Sequence, residues 1–331
     1  MFTRPPDLSD GAVVRTLESR WHLAVDDVEY VPVGFGSHHW KARSDGRVWF
    51  VTVDDLDAKR LSEVDSRQAA AQRLTAAMVV AVSLRELGLD FVAAPISSER
   101  GLASEPIDDR FVVSIFEYLD GETHPFGAYP TSSARLAVLD RIARLHQVPP
   151  SSIPALEERF VIPRREVVTA GASIDGNMLL GPYSADALDL LSHHRDSLTG
   201  AFDRFDSIVS VAIEQRSGWV VTHGEPHQAN TINTPDRGVL LIDWDTVLVA
   251  PPERDLWSLI RQDEDIAHEY TKLTGWAIDG AIINLYELFW DLTEVCLYAA
   301  DFLAPHERTA DTEVAWESFQ RYLDPSRWTP G

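Results

Sequence analysis

Cysteine is almost missing from this chain. Cys296 is the single example in 331 residues, which excludes an intramolecular disulfide framework and any cysteine-built zinc cluster. It falls in an apolar helical run and is expected as a buried thiol. Long hydrophobic runs are missing too: the least polar stretch, 74–84, is too short to cross a bilayer. The opening residues, M-F-T-R-P-P-D-L-S-D, contain no apolar signal core, so a cytoplasmic protein is expected. Positive charge is scarce. Lys and Arg number 29 against 52 Asp and Glu, a formal charge of −23. Nucleic acids and anionic membranes are bound through Lys and Arg, so neither is an expected partner. The balance suits a cationic small molecule, although an acidic surface also serves solubility. No internal repeat or low-complexity tract interrupts the chain.

What is present is ordinary globular composition, 45% hydrophobic and 24% charged, over a length for one large or two medium domains. Residues 9–21 have the spacing of a short amphipathic helix capped by Ser9 or Asp10. Segments 28–33, 39–43 and 47–53 read as strands, the first two joined by Gly34-Phe35-Gly36-Ser37 and the last two by Ser44-Asp45-Gly46. Two glycines at such a turn let backbone N–H groups approach a phosphate without obstruction from Cβ. A long helix is predicted over 62–87, ended by Gly88, with further strands over 91–96 and 111–119. Residues 122–133 read as a linker. Helical patterns follow over 132–147, 184–199 (stopped by Gly200), 202–215, 253–269, 280–300 and 313–322, while 151–168 take no assignment.

The densest chemistry lies between 219 and 259. Residues 219–222 form a β-prone run, 223–230 (H-G-E-P-H-Q-A-N) a polar loop, 235–238 a turn, and 239–242 a buried strand that delivers Asp243. Two short strands joined by a turn are expected to hold Glu225, Asn230 and Asp243 together. That set suits phosphoryl transfer. One carboxylate orients and deprotonates a hydroxyl, while an amide oxygen and a second carboxylate hold Mg²⁺ on nucleotide phosphates. Asp245 turns to the same side as Asp243 if the strand continues, and joins the candidate metal ligands. His223 and His227 flank Glu225 like parts of a zinc triad, but zinc wants three or four closed ligands and no Asn.

In these motifs the chain resembles the aminoglycoside phosphotransferase and choline kinase family, which shares its fold with protein kinases. The resemblance rests on A-R-L-H at 143–146, H-G-E-P-H-Q-A-N at 223–230, L-I-D-W at 241–244 and P-E-R-D-L at 252–256. The string L-x-A-P-x-E-R-D-L is similar to the spectinomycin phosphotransferase branch. The resemblance implies an α+β, two-lobed, protein-kinase-like fold. Residues 1–119 would form a small β-sheet lobe with one long helix, and 120–331 a larger, mainly helical lobe with the catalytic loop, metal site and acceptor-binding helices. It implies transfer of the γ-phosphoryl group of ATP or GTP, with Mg²⁺, to a hydroxyl of a small polar acceptor. An aminoglycoside or aminocyclitol is the leading expectation, with antibiotic resistance as the associated role. By position, Glu225 is implied as general base and Asn230 and Asp243 as metal ligands. Gly34, Phe35, Gly36 and Ser37 would cover the phosphates, and 116–119, with Glu117, Tyr118 and Leu119, would be the hinge that meets the purine. His223 would support the loop and Asp255 anchor it by hydrogen bonds; a partly buried Asp255–Arg254 ion pair is also expected.

Two departures stand out. Glu225 occupies a position where the family has Asp, and a misplacement of about 1 Å can cost on the order of 10²-fold in rate. Pro226 eases a compensating shift of the loop. Thr52, in W-F-V-T-V, stands where a phosphate-contacting lysine is expected. Lys59 or Arg60 would reach the phosphates instead, with Glu63 as the acid partner. Two other readings therefore stay open: a kinase for a choline-like amine, a sugar or a biosynthetic intermediate, and a nucleotide-binding protein without turnover. Elsewhere Trp219, Trp244 and Trp257 are expected in the core, His38 and His39 as half-exposed strand residues, and His193 and His194 in solvent. Of the helical acids Asp263, Glu264, Asp265, Glu269, Glu287, Asp291 and Glu294, most are expected to face water and a few a cationic acceptor.

Overall fold

A computed structural model describes residues 1–169 and 180–328 of the chain. Residues 170–179 lie outside the described residues. Helix α1 (Asp10–Trp21) starts where Ser9 Oγ accepts the Ala12 amide at 3.2 Å, satisfying one of the orphan donors of the first turn. Strands β1 (Val25–Val31), β2 (His38–Ser44) and β3 (Arg47–Asp55) follow, then the long helix α2 (Arg67–Glu86), β4 (Glu105–Pro106) and β5 (Phe111–Glu117). They form one antiparallel sheet in the order β1-β2-β3-β5-β4. Side chains alternate across it. Trp40, Ala42, Val51, Val53, Val113 and Ile115 pack with Val13 and Leu17 of α1. Val112 and Phe116 turn the other way, to Leu74 and Met78 of α2.

Helix α3 (Ser132–His146) is capped by Thr131. Next come α4 (Arg165–Thr169), α5 (Ser184–His193) and α6 (Arg195–Glu214), then the short strands β6 (Val220–Thr222), β7 (Thr231–Thr234), β8 (Gly238–Leu241) and β9 (Leu248–Ala250). The chain ends in α7 (Glu253–Gln262), α8 (Asp265–Thr274), α9 (Gly280–Leu303) and α10 (Ala310–Tyr322). Two compact units result, and neither is continuous in sequence. The first comprises Met1–Lys59, Ser66–Glu158 and Arg216–Asp279; the second comprises Arg60–Asp65, Arg159–Gln215 and Gly280–Gly331.

The expected architecture is present, an α+β chain with a small antiparallel sheet and many helices, but four local expectations are corrected. Residues 91–96 make no strand of the sheet; Val92 forms an isolated bridge to Leu241 instead. Pro95 lacks the N–H a ladder needs, and the fifth strand is the short Glu105–Pro106. Gly200 lies inside α6, and the break comes at His194 (φ −97°, ψ 8°). The apolar stripe Leu198, Ala201, Phe202 and Phe205, all buried, outweighs the roughly 1 kcal/mol an interior glycine costs. The helix expected over 253–269 is two, parted at extended Asp263 (φ −161°). Finally, 219–222 does not pair with 239–242: β6 pairs with β9, and the turn at 235–238 joins β8 to β7.

In the second unit, Cys296 is buried and burial pushes its thiol up to about 12. Asp291, one of the seven helical acids, is buried and held by Arg327 at 2.6 Å. No described helix is long and apolar enough to cross a membrane. Trp219 and Trp244 are buried and Trp257 half-buried, as expected of core residues.

Leu17 is wholly buried between α1 and the sheet. Leu17→Ala is expected to cost about 2–4 kcal/mol, read as a lowered urea midpoint at unchanged slope.

Candidate active site

The loop between β6 and β7 is built around one buried carboxylate. Asp255, on the first turn of α7, accepts the His223 amide at 2.8 Å and the Gly224 amide at 2.6 Å. His146, the last residue of A-R-L-H, donates from Nε2 to the same carboxylate at 3.1 Å, while its Nδ1 takes the Tyr270 hydroxyl at 2.7 Å. Burial alone would raise the Asp255 pKa, but the His146 hydrogen bond leads the interactions that bring it below the ordinary value. The expected Asp255–Arg254 pair is not what forms. Arg254 donates to Thr222 Oγ1 and the Thr246 carbonyl and faces Glu158 at 3.4 Å. Asp255 is spent on backbone, as a buried acceptor with two oxygens can be.

Gly224 is required here twice over. Its φ is +104°, and a Cβ would lie 2.5 Å from Arg254 Nη1 and 2.6 Å from Thr246 Oγ1. Beyond it, Glu225 N–H donates to His223 Nδ1 at 3.3 Å, and His223 Nε2 donates to the Ile242 carbonyl at 2.9 Å. Both ring nitrogens are thus engaged by a neutral imidazole, and burial lowers its pKa. The Ile242 amide donates back to the Asn230 carbonyl at 3.0 Å. Ile242 is therefore tied on both sides to the loop, which brings Asp243 within electrostatic reach of Glu225. A second clasp comes from 125–129: Tyr129 Oη donates to the Pro226 carbonyl, and Gln228 donates to the Pro125 carbonyl.

Asn230 Nδ2 donates to the Glu225 carbonyl at 3.1 Å. The Glu225 carboxylate is about one-third exposed and lies 3.6 Å from His227 Nε2. Asp243 sits in the left-handed region, φ 65°, a conformation that Asp tolerates better than most residues. Asp245 takes the Lys59 ammonium at 2.7 Å, and Lys59 also faces Asp54 at 3.3 Å. Ser37 Oγ donates to the same Asp54 oxygen at 2.6 Å. Gly34 and Gly36 both have positive φ, and a Cβ on Gly36 would lie 3.9 Å from Lys59 Nζ. The glycine turn, Lys59 and the acids after β8 thus form one connected group.

Its charge is unbalanced. Burial opposes the Lys59 charge, yet Asp245, Asp54 and Asp243 hold its pKa well above normal. Burial and then the Asp245 carboxylate push Asp243 well up; burial would raise Asp245 too, but the Lys59 ammonium leads the interactions that together hold it down. Such a set fits a hard divalent cation bound through the Asp243 and Asp245 carboxylates and the Asn230 amide oxygen. Among the described residues, no three His, Cys, Asp or Glu side chains converge on a ready-made metal site.

The remaining predicted residues are more dispersed. Phe35 is half exposed, its ring edge against Phe2. Glu117 ends β5 and pairs with Arg237 at 3.2 Å, and the Tyr118 ring lies under the Lys41 ammonium at 4.2 Å. With Leu119 they line a cavity of about 870 Å³ that also touches Val48, Val92 and Arg237, and none of 34–37, Lys59, Glu225 or Asp243 lines it. Arg60 binds the carbonyls of Glu63 and Asp65, and the carboxylates facing Lys59 are Asp54 and Asp245, not Glu63. Thr52 faces His39 Nδ1 at 3.3 Å. His38 is buried rather than half exposed, against the Tyr30 hydroxyl. His193 is exposed and His194 only half so. Of the helical acids, Asp263 and Glu269 are paired with Arg135 and Lys272. Sequence reasoning missed Asp54; the signal was its place two residues after Thr52, on the same face of β3.

Residues 28–281 match the model of the phosphotransferase enzyme family APH. The chain belongs to this family and is a small-molecule phosphotransferase. It is 28% identical to Protein StrN of Streptomyces griseus, over 96% of this chain and 94% of that one. Among solved structures, the fold is similar to spectinomycin phosphotransferase in complex with ADP and spectinomycin, with a TM-score of 0.71 at 13% identity, covering 97% and 99% of the two chains. It is also similar to choline kinase LicA from Streptococcus pneumoniae, with a TM-score of 0.53 at 16% identity, covering 96% and 98%.

Gly224→Ala is expected to cost roughly 2–4 kcal/mol through strain and the clash with Arg254, measured by urea unfolding. Asp255 gives a pH signature. Its folded pKa is depressed, so its contribution is complete above the ordinary carboxylate value of about 4 and is lost as pH falls through the folded pKa. The stability gap between wild type and Asp255→Asn should therefore be flat from about pH 5 to 7 and close below about pH 4.

Proposed function

We propose that this phosphotransferase moves the γ-phosphoryl group of ATP or GTP to a hydroxyl of an aminoglycoside or aminocyclitol of the spectinomycin kind. The observation that carries the reading is the Lys59 ammonium, bonded to Asp245 and set beside Gly36. It joins the glycine turn to the acids that follow the catalytic loop. A cation at that junction suits nucleotide phosphates on one side and a divalent ion on the other.

In this reading the Glu225 carboxylate takes the proton of the acceptor hydroxyl as the hydroxyl oxygen attacks the γ-phosphorus and the nucleoside diphosphate leaves. The Asp255 carboxylate, held by His146, accepts two loop amides and fixes the loop that carries this carboxylate. Asp243, Asn230 and Asp245 would hold Mg²⁺, and a bound ion would supply positive charge against the phosphates. The fourfold turn segment Gly34, Phe35, Gly36 and Ser37 covers the phosphates. The backbone of Glu117, Tyr118 and Leu119 meets the purine. A net charge of −23 favours a cationic acceptor, and the similarity to a spectinomycin-binding fold supports the aminocyclitol class. A nucleotide-dependent transfer of this kind fits the cytoplasm.

The test is nucleotide consumption with Mg²⁺, using ATP and GTP in parallel against spectinomycin, aminoglycosides, choline and simple sugars. Turnover is expected with an aminocyclitol or aminoglycoside. It should vanish in Asp243→Asn and fall on the order of 10²-fold or more in Glu225→Gln. Turnover confined to choline would assign the amine class. ADP binding without turnover on any acceptor would overturn the transfer.

A further inference from the structure

The strand position that would carry a phosphate-contacting cation is Thr52, whose hydroxyl faces His39. The cation in the site, Lys59, comes from the turn after β3. Its backbone is fixed there: its amide donates to the Asp55 carbonyl at 3.2 Å, and its carbonyl accepts from Arg73 of α2 at 3.1 Å. A lysine side chain on a fixed backbone still has four rotatable bonds, so a carboxylate is needed to aim it. Helix α2 does not provide one. Its sequence, RQAAAQRLTAAMVVAVSLRE, carries its single acid at the far C-terminal end, Glu86.

Asp54 answers the need. It is buried, at 3% exposure, on β3 itself, and its Oδ1 receives both Ser37 Oγ at 2.6 Å and Lys59 Nζ at 3.3 Å. One oxygen therefore holds the last residue of the glycine turn and the ammonium together. The other carboxylate at Lys59, Asp245, belongs to the candidate metal-binding acids and would be drawn to a cation when one binds. Asp54 has no such competing duty.

We propose that Asp54 is the positioning residue of the phosphate site: it aims Lys59 at the phosphates and couples that lysine to the glycine turn through Ser37. The inference rests on the phosphoryl-transfer reading above for what Lys59 touches. It adds that lysine and acid are both supplied by one strand and the turn after it, without an acid from α2. Lys59 contacts phosphate; Asp54 acts through it.

Calorimetric binding of ADP and of adenosine, with Mg²⁺ present, tests this. Asp54→Asn keeps the shape and removes the charge. It is expected to weaken ADP binding about tenfold, the size of a lost charge-assisted contact, and to leave adenosine binding unchanged. In a Lys59→Met background, Asp54→Asn should have no further effect on ADP, because the two act as a unit. Ser37→Ala, a milder change, should give a smaller ADP loss that also shrinks in the Lys59→Met background, and it serves where Asp54→Asn does not fold. Additive losses, an equal loss for adenosine and ADP, or an ADP affinity within twofold of wild type would overturn the proposal. So would wild-type protein that binds no ADP. The coupled pattern in a protein that turns over no acceptor would leave the proposal standing while the transfer reading fails, and turnover with additive losses would do the reverse.

Discussion

One buried carboxylate sets the geometry of this protein's chemistry. Asp255 is fully enclosed and gives its oxygens to two consecutive backbone amides and to His146. A buried charge without partners costs several kcal/mol, so the carboxylate can exist there only if the loop stays in the one conformation that presents those amides. The loop is thereby specified more tightly than its own residues could manage. Gly224 at φ +104° is affordable because the surrounding contacts over-determine it.

From that anchor the arrangement propagates through the His223 imidazole and then through backbone. His223 passes the constraint to the Ile242 carbonyl, and the Ile242 amide passes it to Asn230. Three segments far apart in sequence meet within a few hydrogen bonds: the end of α3, the loop between β6 and β7, and the start of α7. A-R-L-H, H-G-E-P-H-Q-A-N, L-I-D-W and P-E-R-D-L thus act as parts of one hydrogen-bonded object, which explains why they occur together. In the reading proposed above, Glu225, Asn230, Asp243 and Asp245 are the side chains the reaction would use.

The same region concentrates negative charge around one lysine. In water such a cluster would repel itself weakly, but burial strengthens each interaction. The consequence is visible in opposite directions on neighbouring acids, with Asp243 pushed up and Asp245 held down by Lys59. The chain-wide acidity and this local excess are different matters. The surface charge acts at long range and is screened by salt, whereas the cluster acts over a few ångströms.

The sequence by itself determined the broad class of this protein and the identity of the central loop. Period-two and helical patterns survive in any packing, so the sheet of β1, β2, β3 and β5, helix α2 and the α+β class were legible, as were the acids and glycines at their spacings. What propensity does not encode is which of several short apolar runs pair. Tertiary structure decided that β6 joins β9, that residues 91–96 stay out of the sheet, and that Gly200 is carried inside a helix by its buried stripe. It also decided the partners of charged groups. Asp255 lies next to Arg254 in the chain, yet folding gives it amides 31 and 32 residues away. Asp54, unremarkable on a strand ending V-D-D, became the partner of Lys59 only when the turn after β3 folded back. Charge pairing depends on three-dimensional distance and burial, and neither is written in spacing along a chain.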